Sequence, residues 1–419
     1  MAPLVGARGT AMKDKLRESD ETTDYYGRDQ SGPYVRKPGT HVVTAESVQA
    51  EEVPTIPLGS LQTISELRPE VSIRPVAATK AVSMPVPLVV QPAEYRRSAG
   101  EWMQLWWDGM RPAYLVLPTI PVLVGSTLAW IRTISAQTPF GHFDFWHFVG
   151  MLAAVAYLQI GANLVNDYYD YLRGIDTGNT LGPGGLIQQG LIKPRRVLVF
   201  GLSCLVLGAV LGAIVAFAGG QPAWPVYVFG LVGLLCAYFY SASGRALASL
   251  AQGELVSFVI FGPLITLGAY MVQAGRFDRT VLLYSIALGL LATTVVHLNN
   301  MRDAESDAQA RKRTLAAIFG LNWSRALAFI LLLGAYVIII ALGLPHNAPH
   351  LILITLWTLP MLVIVVTSIF RTDTPAGLHL AMRQALKLEL TFGILLALTL
   401  GLSALWNVLP HLPSFVLPG

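Results

Sequence analysis

The chain has 419 residues, of which 53% are hydrophobic and only 13% are charged. Soluble domains carry about a quarter charged residues, so this composition excludes an ordinary soluble domain and indicates a membrane protein with several spans. The two cysteines, Cys204 and Cys236, lie in apolar runs, which excludes a disulfide-rich class, and a net charge of +4 without a dense basic block argues against a nucleic-acid partner.

The first part of the chain differs from the rest. Residues 1–98 are mixed in charge, rich in Pro, Ser and Thr, and have no sustained apolar period. Such a segment buries too little apolar surface to offset the entropy that is lost on ordering. We therefore expect a disordered N-terminal tail at 1–98 and one membrane domain at 99–419, and the tail lacks the pattern of a secretory signal.

A short amphipathic segment precedes the apolar part of the chain. Trp102, Leu105 and Trp106 recur at helical spacing, which predicts a helix at the level of the lipid headgroups. The pair Arg111-Pro112 is expected to end this helix and to start the first span, because proline is tolerated in a first helical turn.

Nine apolar stretches of spanning length follow, which predicts an all-α integral membrane protein with nine transmembrane helices. The stretch at 224–241 has the weakest pattern of the nine. The predicted spans are 113–131, 145–165, 197–219, 224–241, 255–273, 281–298, 326–344, 351–370 and 390–410.

Lysine and arginine residues fall mainly in alternate loops of this nine-span order. Thirteen of them lie in four loops, and the opposite loops and helix ends contain three. The four basic loops are 166–196, 242–253, 299–325 and 371–390. Because basic loops face the cytoplasm, we expect a multi-pass protein of the cell membrane with its N-terminus and these loops on the cytoplasmic side.

Acidic residues are scarce after residue 112, and six of the eleven fall in two short segments at the ends of even-numbered spans. The first segment contains Asn163, Asn166, Asp167, Asp170 and Asp176. If the second span continues as a helix, Asn163, Asp167 and Asp170 share one face. Carboxylates one turn apart repel each other unless a cation lies between them, and hard oxygen ligands at this density suit Mg²⁺.

The second segment repeats this pattern after the sixth span. It contains Asn299, Asn300, Arg302, Asp303 and Asp307, and Arg311-Lys312-Arg313 follow. Two such clusters facing each other across a bundle predict a pair of Mg²⁺ ions and a bound diphosphate, with Arg173, Arg302, Lys312 and Arg313 binding phosphate oxygens. The alternative interpretation is that these residues are solvated charges at helix ends. It explains one cluster more easily than two.

The two segments resemble the aspartate-rich motifs of the UbiA superfamily of intramembrane prenyltransferases. The resemblance rests on Asn166-Asp167-x-x-Asp170 and on Asp303-x-x-x-Asp307, and it covers about residues 105–410. It implies a UbiA-type bundle of nine helices. It also implies Mg²⁺ as the cofactor, held by the four catalytic aspartates of these motifs.

Finer features are similar to the branch that prenylates 1,4-dihydroxy-2-naphthoate in menaquinone biosynthesis. They are the pair Arg111-Pro112, the spacing from Asp170 to Asp176, and the Asn-Asn-x-Arg-Asp run that starts at Asn299. This resemblance implies transfer of a polyprenyl group from polyprenyl diphosphate to dihydroxynaphthoate, with decarboxylation to demethylmenaquinone. The polyprenyl tail is expected in a groove that opens to the lipid bilayer.

Substrate-binding roles are expected for a wider set of residues. They are Asn163, Asn166, Tyr168, Arg173, Asp176, Glu254, Asn299, Asn300, Arg302 and Lys312. Tyr168, Tyr169 and Tyr240 are candidates for stabilising an allylic cation through their aromatic faces. His297 is expected to be a hydrogen-bonded packing residue.

Two kinds of alternative stay open at this point. The metal cluster does not choose the acceptor, so 4-hydroxybenzoate, homogentisate and a tetrapyrrole alcohol remain possible acceptors. A transporter is the main alternative of another class, but transport sites usually lie near the membrane midplane. Arg371, Arg383, Lys387 and Glu389 are expected to face solvent or lipid headgroups.

Overall fold

The computed structural model describes residues 97–135, 137–138, 140–174, 186–188, 190–219, 224–242, 246–345 and 348–408. Within these ranges the chain is helical, and the only β-pairing is an isolated bridge between Leu250 and Arg313. The chain is therefore an all-α integral membrane protein. The tail predicted at 1–98 lies almost wholly outside the described residues, as does Asp176.

Eleven helices of six or more residues run through the described ranges. They are α1 (Ala99–Met110), α2 (Pro112–Ile131), α3 (Phe145–Leu172), α4 (Pro194–Ala218), α5 (Trp224–Phe239), α6 (Gly253–Ala274), α7 (Arg279–Arg302), α8 (Ala304–Gln309), α9 (Leu315–Gly343), α10 (His350–Arg371) and α11 (Pro375–Val408). Eight of these are long and apolar enough to cross a membrane, and α5 is an apolar helix of 16 residues. Each of the nine predicted stretches thus coincides with a helix, and the stretch with the weakest pattern forms the shorter one.

The ends of α1 follow from its sequence. Ser98 caps the helix, since its side chain accepts from the Glu101 backbone while the Glu101 carboxylate accepts from the Ser98 backbone. Arg111 then takes a left-handed conformation with φ 54°, and Pro112 opens the next helix. The helix break predicted at Arg111-Pro112 is confirmed.

The last span begins earlier than predicted, at Pro375 instead of 390. The sequence of 371–390 alternates charges with apolar residues, and buried side chains such as Leu378 and Met382 continue the helical period between the charges. Glu389 lies on this helix and is fully buried, so its expected exposure to solvent or headgroups is wrong.

Helix α7 lies at the centre of the bundle and is the most buried of the eight spans. It packs against α6, α9 and α11, and α2 packs against α6 and α11. Small residues permit a close approach of α6 and α7, because Gly262 of α6 faces Gly289 of α7. The ends of α3 and α7 that carry the two acidic segments lie at the rim of this core.

We expect the Gly262–Gly289 contact to be sensitive to a single methyl group. A Cβ at position 289 would lie 2.8 Å from the Phe258 carbonyl oxygen, whereas a Cβ at Gly230 would meet nothing within 4 Å. Gly289→Ala should therefore lower the free energy of unfolding by about 1–3 kcal/mol. Gly230→Ala, the matched control, should be neutral or slightly stabilising. Thermal unfolding in one detergent checks this, and equal melting temperatures for the two variants would contradict it.

Helix α6 contains one widened turn. Residues Ile260–Leu264 form a π-helical turn that includes Pro263, whose backbone has no N–H to donate. Ile260, Phe261 and Leu264 of this turn line the main cavity of the bundle. The irregular turn therefore shapes a cavity wall and does not end the span.

Candidate active site

The first acidic segment is helical, as predicted, because α3 continues to Leu172. Asn163, Asp167 and Asp170 are all buried on this helix. The Asn166 side chain donates to Asp170 Oδ2 at 2.9 Å and to Ser241 Oγ at 2.9 Å. This contact between residues i and i+4 of one helix fixes the orientation of the Asp170 carboxylate.

Arg111 forms an ion pair with Asp167 by donating from Nη2 to Oδ1. Burial opposes the charge on Arg111, but the carboxylate of Asp167 outweighs this effect and raises the pKa of Arg111. Sequence reasoning used Arg111 as a helix boundary and as a feature of the family resemblance, and it missed this role. The available signal was an arginine placed directly before an apolar span.

The second acidic segment departs from the expected uninterrupted helix. Helix α7 ends at Arg302, and Asp303 stands between α7 and α8 with φ −96° and ψ 4°. The Ser306 hydroxyl donates to the Asp303 carbonyl oxygen at 2.9 Å, which competes with regular helical bonding. The backbone N–H of Asp303 still donates to Asn299 and that of Asp307 to Asp303, so the three side chains remain stacked.

Arg302 holds Asp303 in a two-point ion pair. Its Nε donates to Oδ1 at 2.7 Å and its Nη2 donates to Oδ2 at 2.6 Å. The same guanidinium donates to Asn299 Oδ1 at 3.1 Å and contacts His379 Nδ1 of α11 at 3.2 Å. His379 was not predicted, because nothing in the sequence places α11 beside the end of α7.

Asp307 is completely buried, and Lys312 Nζ lies 3.1 Å from its Oδ1. Burial raises the pKa of Asp307 to about 6 against the lowering effect of Lys312, and the Asp303 and Asp170 carboxylates add to the rise. Burial lowers the pKa of Lys312, but Asp170 and Asp307 together raise it above its usual value. Lys312 is therefore close to a carboxylate of each acidic segment.

Asparagine side chains of both segments line one end of a single cavity. Tyr114 of α2 donates to Asn299 Oδ1 at 3.0 Å. A cavity of about 410 Å³ is lined at this end by Arg111, Asn166 and Asn299. Its other walls come from α2, α3, α4, α5 and α6 and are mainly apolar. The arrangement suits an amphipathic ligand with an anionic head and a long apolar tail.

The remaining expected site residues are distributed as follows. Arg173 Nη1 lies 3.5 Å from Asp170 Oδ1, at the first segment. Tyr168 packs edge-to-face on Tyr169 at 5.2 Å and against the apolar cluster around α1. Tyr240 lines the cavity, and burial raises its pKa to about 12, so its phenol is neutral at physiological pH.

Glu254 belongs to a buried network next to the second segment. Its Oε1 lies 2.9 Å from His297 Nδ1 and accepts from Asn300 Nδ2 at 3.0 Å. His297 Nε2 lies 3.1 Å from the Ser324 carbonyl oxygen, which can only accept. Both ring nitrogens thus lie within hydrogen-bond distance of an oxygen, so His297 is the hydrogen-bonded packing residue that was expected. The network ties α6, α7 and α9 together behind Asn300.

Removal of the Glu254 carboxylate should destabilise the bundle. Glu254→Leu leaves the fully buried His297 and Asn300 without their shared acceptor, and we expect a loss of about 3 kcal/mol. The control Glu305→Leu, at an exposed position of α8, should stay within about 0.5 kcal/mol of the parent. Denaturant titration in detergent measures both, and a Glu254→Leu protein as stable as the control would refute the role of this network.

A metal ion is compatible with the carboxylates of the two segments. Among the described residues no three His, Cys, Asp or Glu side chains converge on one point. Each of the four aspartates instead has a basic partner, and the pairs are Asp167–Arg111, Asp170–Arg173, Asp303–Arg302 and Asp307–Lys312. The buried oxygens of Asp307 nevertheless accept no aligned hydrogen bond. Mg²⁺ fits this set because it uses few carboxylates together with water and substrate phosphate oxygens.

Comparison with known proteins identifies relatives for most of the membrane domain. Residues 119–390 match the model of the UbiA prenyltransferase family. A 1,4-dihydroxy-2-naphthoate octaprenyltransferase of Bacillus subtilis is 28% identical over 75% of this chain and 96% of its own length. An enzyme of the same name from Escherichia coli is 30% identical over 72% of this chain and 96% of its own length.

A solved structure shares the fold. The UbiA homologue of Archaeoglobus fulgidus, determined with bound GPP and Mg²⁺, superposes with a TM-score of 0.52. It is 16% identical and covers 70% of this chain and 99% of that chain. At this identity the likeness concerns the arrangement of helices alone.

Proposed function

Because the chain belongs to the UbiA prenyltransferase family, we propose that it transfers a polyprenyl group from polyprenyl diphosphate to 1,4-dihydroxy-2-naphthoate, with Mg²⁺ as cofactor. The acceptor loses its carboxylate as CO₂, and the product is the reduced form of demethylmenaquinone. The observation that supports this most is that an asparagine of each acidic segment, Asn166 and Asn299, lines the polar end of one cavity whose other walls are mainly apolar. The names of the B. subtilis and E. coli relatives favour this acceptor.

The proposed site has ligands for both the metal and the diphosphate. Asp167, Asp170, Asp303 and Asp307 would hold Mg²⁺, which when bound neutralises the diphosphate and helps it to leave. Arg173, Arg302 and Lys312 would exchange their carboxylate partners for diphosphate oxygens. Asn166 donates to Asp170, and Asn299 donates to Asp303 and accepts from Arg302, so these two amides orient charged side chains of the site. Asn163 and Asn300 donate instead to the Met110 carbonyl oxygen and to Glu254, and we propose that they contribute to substrate binding from there.

The cavity provides what the departing prenyl group requires. Heterolysis of the C–O bond leaves an allylic cation, which dry apolar walls protect from water. Tyr240 and Tyr114 both line the cavity and present aromatic groups near its polar end. The carboxyl-bearing carbon of the acceptor ring then forms the new C–C bond. The electron pair of the breaking bond to CO₂ returns to the ring and restores its aromaticity.

The distribution of basic loops supports a proposal for the orientation of the protein in the membrane as well as for its location. By the positive-inside rule we expect Arg173, Arg302 and Lys312 at the same membrane face as the other basic loop residues. We propose that the protein resides in the cell membrane with this site open to the cytoplasm, where soluble aromatic acceptors arrive. The polyprenyl tail remains in the bilayer plane.

An acceptor panel with the purified full-length protein tests this function. The protein, Mg²⁺ and polyprenyl diphosphate are incubated with dihydroxynaphthoate, 4-hydroxybenzoate or homogentisate, and products are identified by mass spectrometry. We expect a prenylated and decarboxylated product from dihydroxynaphthoate alone. Faster prenylation of another acceptor would overturn the proposed acceptor, and no prenylation of any acceptor would overturn the proposed reaction.

A further inference from the structure

A second groove lies on the protein surface, apart from the main cavity. It runs between α1 and the beginning of α4. The side chains of Met103 and Trp106 line it from α1, and those of Val199 and Phe200 line it from α4. Trp106 meets Phe200 edge-to-face with ring centroids 4.9 Å apart, so the floor of the groove is aromatic.

Basic side chains line one end of this groove. Lys193, Arg195 and Arg196 are all exposed, and all three contribute to the lining, which contains no acidic side chain. Across the described ranges none of the three forms an ion pair. The groove therefore presents three uncompensated positive charges beside an apolar floor.

The position of α1 places this groove at the level of the lipid headgroups. Leu105 on one face of α1 is buried against the rest of the bundle, whereas Met103 and Trp107 on other faces are exposed. An amphipathic helix of this kind lies in the membrane interface with its exposed apolar side chains toward the acyl chains. Exposed tryptophan is also typical of this depth.

We propose that the groove binds an anionic phospholipid. Its phosphate group contacts Lys193, Arg195 and Arg196, and its acyl chains lie against Trp106 and Phe200. A basic pocket at the cytoplasmic ends of membrane helices is suited to such headgroups. The aromatic floor favours a lipid over free phosphate, because a free ion would leave that floor uncovered. The inference does not depend on prenyl transfer.

Native mass spectrometry of the full-length protein tests this binding. The delipidated protein is titrated in a neutral detergent with phosphatidylglycerol and, separately, with phosphatidylcholine. The groove variant combines Lys193→Gln, Arg195→Gln and Arg196→Gln. The matched control combines Arg276→Gln, Arg279→Gln and Arg371→Gln, which removes the same number of exposed positive charges elsewhere.

We expect the groove variant to bind phosphatidylglycerol on the order of a hundredfold more weakly than the parent, since each basic residue contributes about fivefold. The control variant should bind as the parent does, and phosphatidylcholine should bind weakly to all three proteins. If the triple variant fails to fold, Arg195→Gln and Arg196→Gln alone are expected to weaken binding about fivefold each. Equal binding by parent and groove variant, an equal loss in the control, or displacement of the lipid by millimolar inorganic phosphate would overturn the proposal.

Discussion

Asp303→Asn is expected to lower kcat for prenyl transfer roughly a thousandfold or more. The Asp303 side chain is buried beside the end of α7 and receives two hydrogen bonds from Arg302. The neutral amide is a much poorer ligand for Mg²⁺ than a carboxylate, and its NH₂ group would face the donors of Arg302. Initial rates from mass-spectrometric product analysis across a range of Mg²⁺ concentrations measure the effect.

Asp373→Asn provides the control for this prediction. Asp373 lies between α10 and α11, is exposed, and pairs with Arg325 of α9 instead of with a residue of either acidic segment. The prenyl-transfer rate of the Asp373→Asn enzyme should stay within about twofold of the parent rate, because exposed ion pairs contribute little to stability. An Asp303→Asn enzyme that retains a rate similar to this control would show that Asp303 is not a ligand in the reaction.

Arg111→Gln should destabilise the protein by about 3 kcal/mol in the presence of EDTA. The change leaves the buried Asp167 carboxylate without its ion-pair partner, and an uncompensated buried charge is costly. Added Mg²⁺ should recover part of this stability, since a bound cation replaces the missing positive charge. Melting temperatures of parent and variant with EDTA and with Mg²⁺ provide the measurement.

The control for Arg111→Gln is the same substitution in a second Arg–Asp pair, whose arginine side chain is more exposed to solvent. Arg132 pairs with Asp278 near the other ends of the spans, and its side chain is 45% exposed. Arg132→Gln should therefore cost less than about 1 kcal/mol and should not respond to Mg²⁺. A larger loss for Arg132→Gln than for Arg111→Gln, or no response of Arg111→Gln to Mg²⁺, would contradict the proposed metal site.

The spans were predictable because their signal is local. Apolar runs of spanning length identify helices without knowledge of their neighbours, and all nine runs coincide with helices. The start of α11 at Pro375 was missed because Arg383, Lys387 and Glu389 give that region the composition of a loop. Burial of Glu389 depends on which helices surround it, and local sequence patterns do not show which helices pack together.

The candidate site also contains some contacts that were predictable from the sequence and others that were not. The stacking of Asn166 on Asp170 follows from helical spacing, so it was available from the sequence. The contacts of Arg111 with Asp167 and of Arg302 with His379 join helices that are distant in the chain. Such contacts arise from tertiary arrangement. The repeated pattern at the ends of even-numbered spans and the resemblance to a family anticipated that the two acidic segments would face each other, but not these individual contacts.

Release of CO₂ tests the proposed reaction most directly. The purified protein is given dihydroxynaphthoate labelled in its carboxyl group, together with polyprenyl diphosphate, and labelled CO₂ is counted against prenylated product. The proposed reaction predicts one CO₂ for each prenylated product with Mg²⁺, and neither in EDTA nor with Asp303→Asn. Prenylated product that retains the label, or equal CO₂ release in EDTA, would contradict it.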